Sequence, residues 1–156
     1  VMRAAVTLGI RRVVHTGPVL TLGPHPAGYN DDREVASDVP PRPGDNLYFV
    51  SKLLGQEIVR IFAEAHGILT PTLLFCGFVD PEVAARKPTP PGWFTISWDD
   101  SGRAMAAATR LTAMRQPFEV IHVMADSPHG RFRNDAIRTV LNWEPEDRLD
   151  DLWHRR

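Results

Sequence analysis

A tyrosine and a lysine four residues apart, Tyr48 and Lys52, are the residues of this sequence best suited to do chemistry. On a helix that separation is about one turn, so both side chains project from one face. A phenol with a pKa near ~10 is a poor acid–base at neutral pH. A neighbouring ammonium favours the phenolate and lowers that pKa. Tyr-x-x-x-Lys can therefore supply a general acid–base for a hydroxyl or a carbonyl. The same spacing also describes an ordinary surface pair, so the surrounding residues must separate the two readings.

The remaining candidates are weaker. His15, His25, His66, His122, His129 and His154 show no metal-ligand spacing such as His-x-x-x-His, and no metal site is expected. Ser51 lies inside the helical segment and lacks a nucleophile-elbow motif. Trp93, Trp98, Trp143 and Trp153 read as packing residues. Arg131-Phe132-Arg133 could meet an anionic substrate, but a solvated loop is the simpler reading.

The element that must carry the Tyr/Lys pair is a helix over about 47–66, where Leu47, Val50, Leu54, Ile58, Ile61 and Ala65 recur at three- and four-residue steps and Gly67 supplies a stop. The end of a helix over 2–8, stopped by Gly9, and a strand over 11–16, ended by Gly17 and Pro18, precede it. Between them runs a proline-rich loop, too long to be a simple connection and therefore read as a lid or binding loop. A buried strand over 69–79 follows, nearly all apolar and interrupted by Pro71. Then come a loop over 81–92, a helix capped by Asp99 or Asp100 and running to about 114, a strand over 118–124 and a last helix over 134–141. Alternating helices and strands predict an α/β fold with a parallel sheet.

Composition agrees with a folded domain. The 156 residues are 43% hydrophobic and 24% charged, which excludes a mainly disordered chain. The net charge of -1 argues against a dedicated nucleic-acid binder. The 18 basic residues include the lysines Lys52 and Lys87, the rest being arginine, which reads as genome bias and not as a built anion site. A single cysteine, Cys76, forbids an internal disulfide and fits a reducing, cytoplasmic setting. No apolar run reaches the ~18 residues of a membrane span. The chain opens on Val1 and not on methionine, so this start is not expected to be the translation start.

Several stretches in order carry a resemblance. Arg11-Arg12-Val13-Val14-His15-Thr16 is followed by a glycine seven residues on, a proline-rich loop, and Tyr48-Phe49-Val50-Ser51-Lys52-Leu53-Leu54-Gly55-Gln56-Glu57. Thr72-Leu73-Leu74-Phe75-Cys76-Gly77, Trp98-Asp99-Asp100-Ser101-Gly102-Arg103-Ala104 and Leu141-Asn142-Trp143-Glu144-Pro145 come later. Together they resemble the later part of the extended short-chain dehydrogenase/reductases, in the NAD-dependent epimerase/dehydratase family. The short loop after Pro81 is more like the uronate dehydrogenase type. The resemblance implies a single domain over 1–156, a partial Rossmann-like, doubly wound parallel sheet from which the glycine-rich N-terminal half is absent. It implies Tyr48 as the proton-exchanging residue and Lys52 as its tuner and ribose ligand. It places Thr16, Cys76 and Gly77 with Lys52 on the cofactor side, and Pro18 and Phe78 on the substrate side.

Three departures accompany it. Where the family has a serine or threonine that holds the substrate oxygen, five residues before the glycine matching Gly23, this chain has Pro18, which has no hydroxyl and no N–H. Phe75 and Cys76 stand where the family has arginine and proline. Among the 11 glycines no two are spaced Gly-x-Gly, so the pyrophosphate turn of a dinucleotide site is missing. The expectation is the C-terminal portion of an NAD- or NADP-dependent oxidoreductase, epimerase or dehydratase acting on a sugar, sugar acid or sugar nucleotide. This chain alone is not expected to bind the cofactor. The alternative is a non-catalytic remnant serving as a binding or assembly module. Partners expected are a second copy of the chain or the missing N-terminal part, with no nucleic acid or membrane.

Overall fold

In the computed structural model of this chain, residues 1–20, 28–29, 31–87, 89–149 and 152 are described. Gly23, Thr21, His25, Trp153 and His154 lie outside them. In chain order the elements are α1 (Met2–Thr7), β1 (His15–Pro18), α2 (Leu47–His66), β2 (Thr70–Phe75), β3 (Gly77–Val79), α3 (Pro81–Ala85), β4 (Thr95–Ser97), α4 (Trp98–Arg110), β5 (Phe118–His122) and α5 (Asp135–Leu141). Strands β1, β2 and β5 form one parallel sheet in that order, and β3 and β4 form a second parallel pair. The expected α/β class and parallel sheet are therefore present.

Period-two alternation divides the main sheet into two faces. Leu73 and Ile121 pack with Ala104, Ala107 and Ala108 of α4 and with Ile137 and Leu141 of α5. The alanines let the α4 backbone come close to the strands. Leu74 and Val120 turn the other way, joining Val19, Val35, Phe94, Met124 and Phe132 in a second cluster. A third cluster seats α1 on α2 through Met2, Ala5 and Ile68.

Helix α2 begins where the sequence places it because the Asn46 side chain accepts hydrogen bonds from the N–H groups of Tyr48 and Phe49. It ends at Gly67, whose φ of 61° is the left-handed conformation that favours glycine. Its periodic stripe, however, is not the buried face. Leu47 is 83% exposed, Leu54 59%, and Ile58 and Ile61 55% each, while the buried positions are Gln56 and Ala63.

Other elements differ from the sequence reading for identifiable reasons. The strand expected over 11–16 starts only at His15 and contains Gly17 and Pro18 instead of ending before them. Residues 11–13 touch β2 only near Leu69, where Leu69 N–H donates to Arg11 O and Val13 N–H to Leu69 O. Repeating that spacing puts the nitrogen of Pro71 opposite the Val13 carbonyl, and proline has no proton to give. The ladder resumes at His15 and Thr72. Val13 and Val19 donate to β2, so by alternation the nitrogen of Pro18 faces the other edge of β1 and its missing N–H costs this ladder nothing.

The single strand expected over 69–79 is two strands in two sheets, broken at Cys76. The proline-rich loop after Asp80 holds α3, capped by the Asp80 carboxylate on the N–H groups of Glu82 and Val83. Helix α4 is capped by Ser97 and not by Asp99 or Asp100, and it stops at Arg110. Two described residues of the long segment after β1 are held to the rest of the fold: Val35 bridges Phe132, and Ser37 donates to the Val120 carbonyl.

Candidate functional site

Tyr48 sits in the first turn of α2 and is 54% exposed. The Lys52 ammonium lies 5.6 Å from the centroid of its ring, so the sequence spacing does put the two on one face. Helix α2 packs on β1, and the Lys52 charge reaches His15 there. Burial first, and Lys52 second, hold the His15 imidazole below its ordinary pKa. A neutral His15 therefore faces a charged lysine, and His15 Nδ1 is buried without a hydrogen-bond partner among the described residues. Thr16, next along β1, is exposed.

Pro18 ends β1 in register with Phe75, the last residue of β2. The C-terminal ends of parallel strands are where open α/β sheets receive ligands. Cys76 follows there; partial desolvation pushes its thiol pKa up, so it is a neutral thiol and not an activated nucleophile. Gly77 is required by the fold itself. A Cβ on it would stand 2.9 Å from Thr95 Oγ1 and 3.3 Å from the Phe94 carbonyl, so β4 can lie against β3 only because the side chain is absent.

The break at Cys76 also makes a stack that a continuous strand would forbid, since residues 75 and 78 of one strand face opposite ways. Phe75 and Phe78 stack at 5.4 Å, and Phe78 and Trp98 at 4.6 Å with planes only 11° apart. Phe78 also lines a cavity of about 400 Å³ together with Cys76 and Gly77. The sequence-predicted residues thus fall into two groups. His15, Thr16, Tyr48 and Lys52 gather at α2 and β1; Cys76, Gly77 and Phe78 gather in the β3–β4 unit, joined to the first through the paired strands β1 and β2. Trp93 and Trp98, expected as packing residues, are both exposed; Trp98 stacks on Phe78, and Trp93 lines the same cavity as Cys76, Gly77 and Phe78. Of Arg131-Phe132-Arg133, expected as a solvated loop, Arg133 is exposed, but Arg131 and Phe132 are buried, with the Arg131 guanidinium 4.0 Å over the Trp93 ring. Two arginines flanking an aromatic was the available signal; which of the three turns inward depends on the Val35 bridge, invisible in sequence.

His122 is a buried titratable group outside both clusters. Its Nδ1 lies 3.0 Å from the Arg133 carbonyl, which can only accept, so Nδ1 carries the proton and Nε2 is left as a buried lone pair without a partner among the described residues. Phe94 and Phe132 meet the ring edge-on at 5.0 and 5.8 Å. Burial lowers its pKa from 6.5 to about 4, outweighing the Arg133 carbonyl, Asp38 and Asp135, which act upward. The folded state refuses a proton that the unfolded state accepts between those values. Stability from the neutral ring is complete above pH 6.5 and is lost as pH falls toward 4. The loss amounts to roughly 3 kcal/mol at most. Urea unfolding at pH 7 and pH 4.5 should show this extra acid sensitivity in the unaltered chain and not in His122→Gln; equal sensitivity would remove His122 as its source.

No known protein-family pattern matches this sequence, and no curated protein matches it. The architecture is a partial Rossmann-like α/β fold, and solved structures share it. Glucuronic acid dehydrogenase from Chromohalobacter salexigens superposes with a TM-score of 0.72 at 24% identity, over 96% of this chain and 52% of that one. A mutated uronate dehydrogenase gives 0.71 at 24% identity, over 97% and 50%. UDP-glucuronic acid 4-epimerase from Bacillus cereus, in complex with NAD, gives 0.67 at 18% identity, over 97% and 62%. These are the kinds of protein to which the sequence resemblance pointed. The chain spans about half the length of the two dehydrogenases.

Proposed function

We propose that these residues form the C-terminal portion of an NAD- or NADP-dependent oxidoreductase, epimerase or dehydratase of the short-chain dehydrogenase/reductase type, acting on a sugar, sugar acid or sugar nucleotide. The observation that carries the reading is the Tyr48–Lys52 pair, exposed on α2 with 5.6 Å between ammonium and ring centroid, on the helix that packs against β1. The neighbours' names supply the substrate class. Tyr48 exchanges a proton with the substrate oxygen, and Lys52 holds positive charge beside it. His15, kept neutral, adds no competing positive charge. The residues present fit one end of a dinucleotide: Lys52 and Thr16 are exposed for the ribose and nicotinamide side, while no glycine turn is available for the pyrophosphate. When bound, a nicotinamide supplies the hydride chemistry. A cytoplasmic setting fits the lone cysteine. NAD(P)-linked turnover of uronic acids by the full-length protein, with and without Tyr48, tests the reading.

Pro18 favours a second reading, a non-catalytic remnant, because the substrate oxygen loses the hydroxyl that a serine would offer at that place.

Assembly belongs to the same proposal. Among the described residues no strand covers the second edge of β1, and the apolar stripe of α2 is open. A second copy of the chain packed through α2 would bury that stripe. Light scattering should find a dimer for the unaltered chain and a monomer for Ile58→Glu, whose charge falls in the middle of the stripe. A monomeric unaltered chain would sink this part of the proposal.

A further inference from the structure

The cavity beside Gly77 has walls that suit a flat ring better than a sugar. Phe78, Trp93, Phe94 and Phe132 all line its volume of about 400 Å³, a size that holds one small organic ligand. Two of these rings are braced. Phe78 is held by two stacked rings, Trp98 at 4.6 Å and Phe75 at 5.4 Å, so the open flat face is that of Trp93, which has the Arg131 guanidinium over it at 4.0 Å and is otherwise half exposed. Phe94 and Phe132 meet edge to face at 5.2 Å and are buried. The rings are therefore fixed before any ligand arrives, and preorganised walls spare a ligand the cost of ordering them.

The polar inventory is short. Thr95 lines the cavity, but its hydroxyl proton is spent on the Gly92 carbonyl at 2.7 Å. Thr89, the neutral thiol of Cys76 and the Lys87 ammonium remain. A hexuronate would bring several hydroxyls into a space that pairs few of them, and buried unpaired hydroxyls oppose binding. Among the described lining residues Lys87 is the single charge and none is acidic. A negative group on the ligand thus meets attraction without repulsion.

We propose that this cavity binds a planar aromatic group, its affinity raised by a carboxylate that reaches Lys87. The inference goes beyond the acid–base reading and does not depend on it, because Tyr48 and Lys52 do not line the cavity. Where both hold, the substrate is a sugar derivative carrying an aryl group.

The test is direct binding to the 156-residue chain, followed by two-dimensional NMR of isotope-labelled protein, with naphthoate as probe and cyclohexanecarboxylate and glucuronate as comparisons. Naphthoate should shift the amides of Gly77, Gly92 and Thr95 and the Trp93 indole saturably. Cyclohexanecarboxylate, equally charged but not flat, should bind at least about threefold more weakly. Trp93→Leu keeps apolar bulk and removes the flat face; it should cost naphthoate about three- to tenfold. Lys87→Met should weaken naphthoate and leave neutral naphthol unchanged. Glucuronate binding as tightly as naphthoate, naphthoate shifts confined to other regions, or a Trp93→Leu chain with undiminished affinity would each overturn the proposal. Turnover is not read, so a failed Tyr48 assignment leaves this result standing, and the reverse.

Discussion

In the proposed intact enzyme, Tyr48→Phe should lower kcat by about 10²–10⁴-fold while leaving KM within a few-fold, the range that a positioned general acid–base contributes. Phenylalanine keeps the ring, so the contact with Phe49, edge-on at 5.3 Å, and the neighbouring Lys52 ammonium persist. Only the proton-carrying oxygen is removed. Tyr48 is exposed, so the change should not unfold α2 and the loss can be assigned to chemistry. An unchanged kcat rejects the assignment. Pro18→Ser is the companion variant. Proline here donates nothing to β2, so serine can replace it without disturbing the ladder, and its hydroxyl would stand at the end of β1. If Pro18 has weakened a working site, Pro18→Ser raises turnover. No gain means that the substrate oxygen is held by other groups.

Local features of the chain were legible where one residue type decides the outcome. Asn46 and Gly67 bound α2 because a capping carboxamide and a left-handed glycine act within a single turn. The parallel sheet was legible from alternation and from the nearly all-apolar β2. What was not legible depends on contacts distant in sequence. Periodicity showed that α2 has an apolar stripe but not whether the sheet lies against it; Gln56 and Ala63 face inward instead. The break at Cys76 follows from the close approach of Thr95 to Gly77, across the intervening α3 and its flanking loops. The Tyr/Lys pair was readable because both members sit on one helix. The aromatic cavity was not, because its rings come from β3, the residues just before β4 and the segment before α5, and only the fold brings them together.

Removing the carboxylate of Asp100 should be among the most destabilising single changes in the chain, at about 2–5 kcal/mol for Asp100→Ala, because two backbone N–H groups lose their buried acceptor. Asp100 is fully buried in the first turn of α4. Its oxygens accept from the N–H of Glu146 at 3.0 Å, from the N–H of Asp147 at 2.8 Å and from the Arg103 guanidinium at 2.8 Å. Ser97, which caps α4 through the Asp100 N–H, also donates to the Asp147 carboxylate. One side chain thus latches the segment after α5 onto α4. Alanine would strand two backbone donors and leave Arg103 with the more exposed Glu146 and Asp147, at 3.3 and 3.6 Å. Asparagine keeps an accepting oxygen without the charge and should cost less, about 1–3 kcal/mol. Arg103→Met, whose side chain is partly exposed, should cost the least of the three. Against a total stability of roughly 5–15 kcal/mol, the alanine loss is large enough to release the segment. The effect should reach the cavity as well, since Ser97 ends β4 and Trp98, next in line, braces Phe78. Urea unfolding followed by tryptophan fluorescence measures the order Asp100→Ala, Asp100→Asn, Arg103→Met. If Asp100→Ala proves no worse than Arg103→Met, the backbone latch is not what holds this segment, and the surface ion pairs carry it instead.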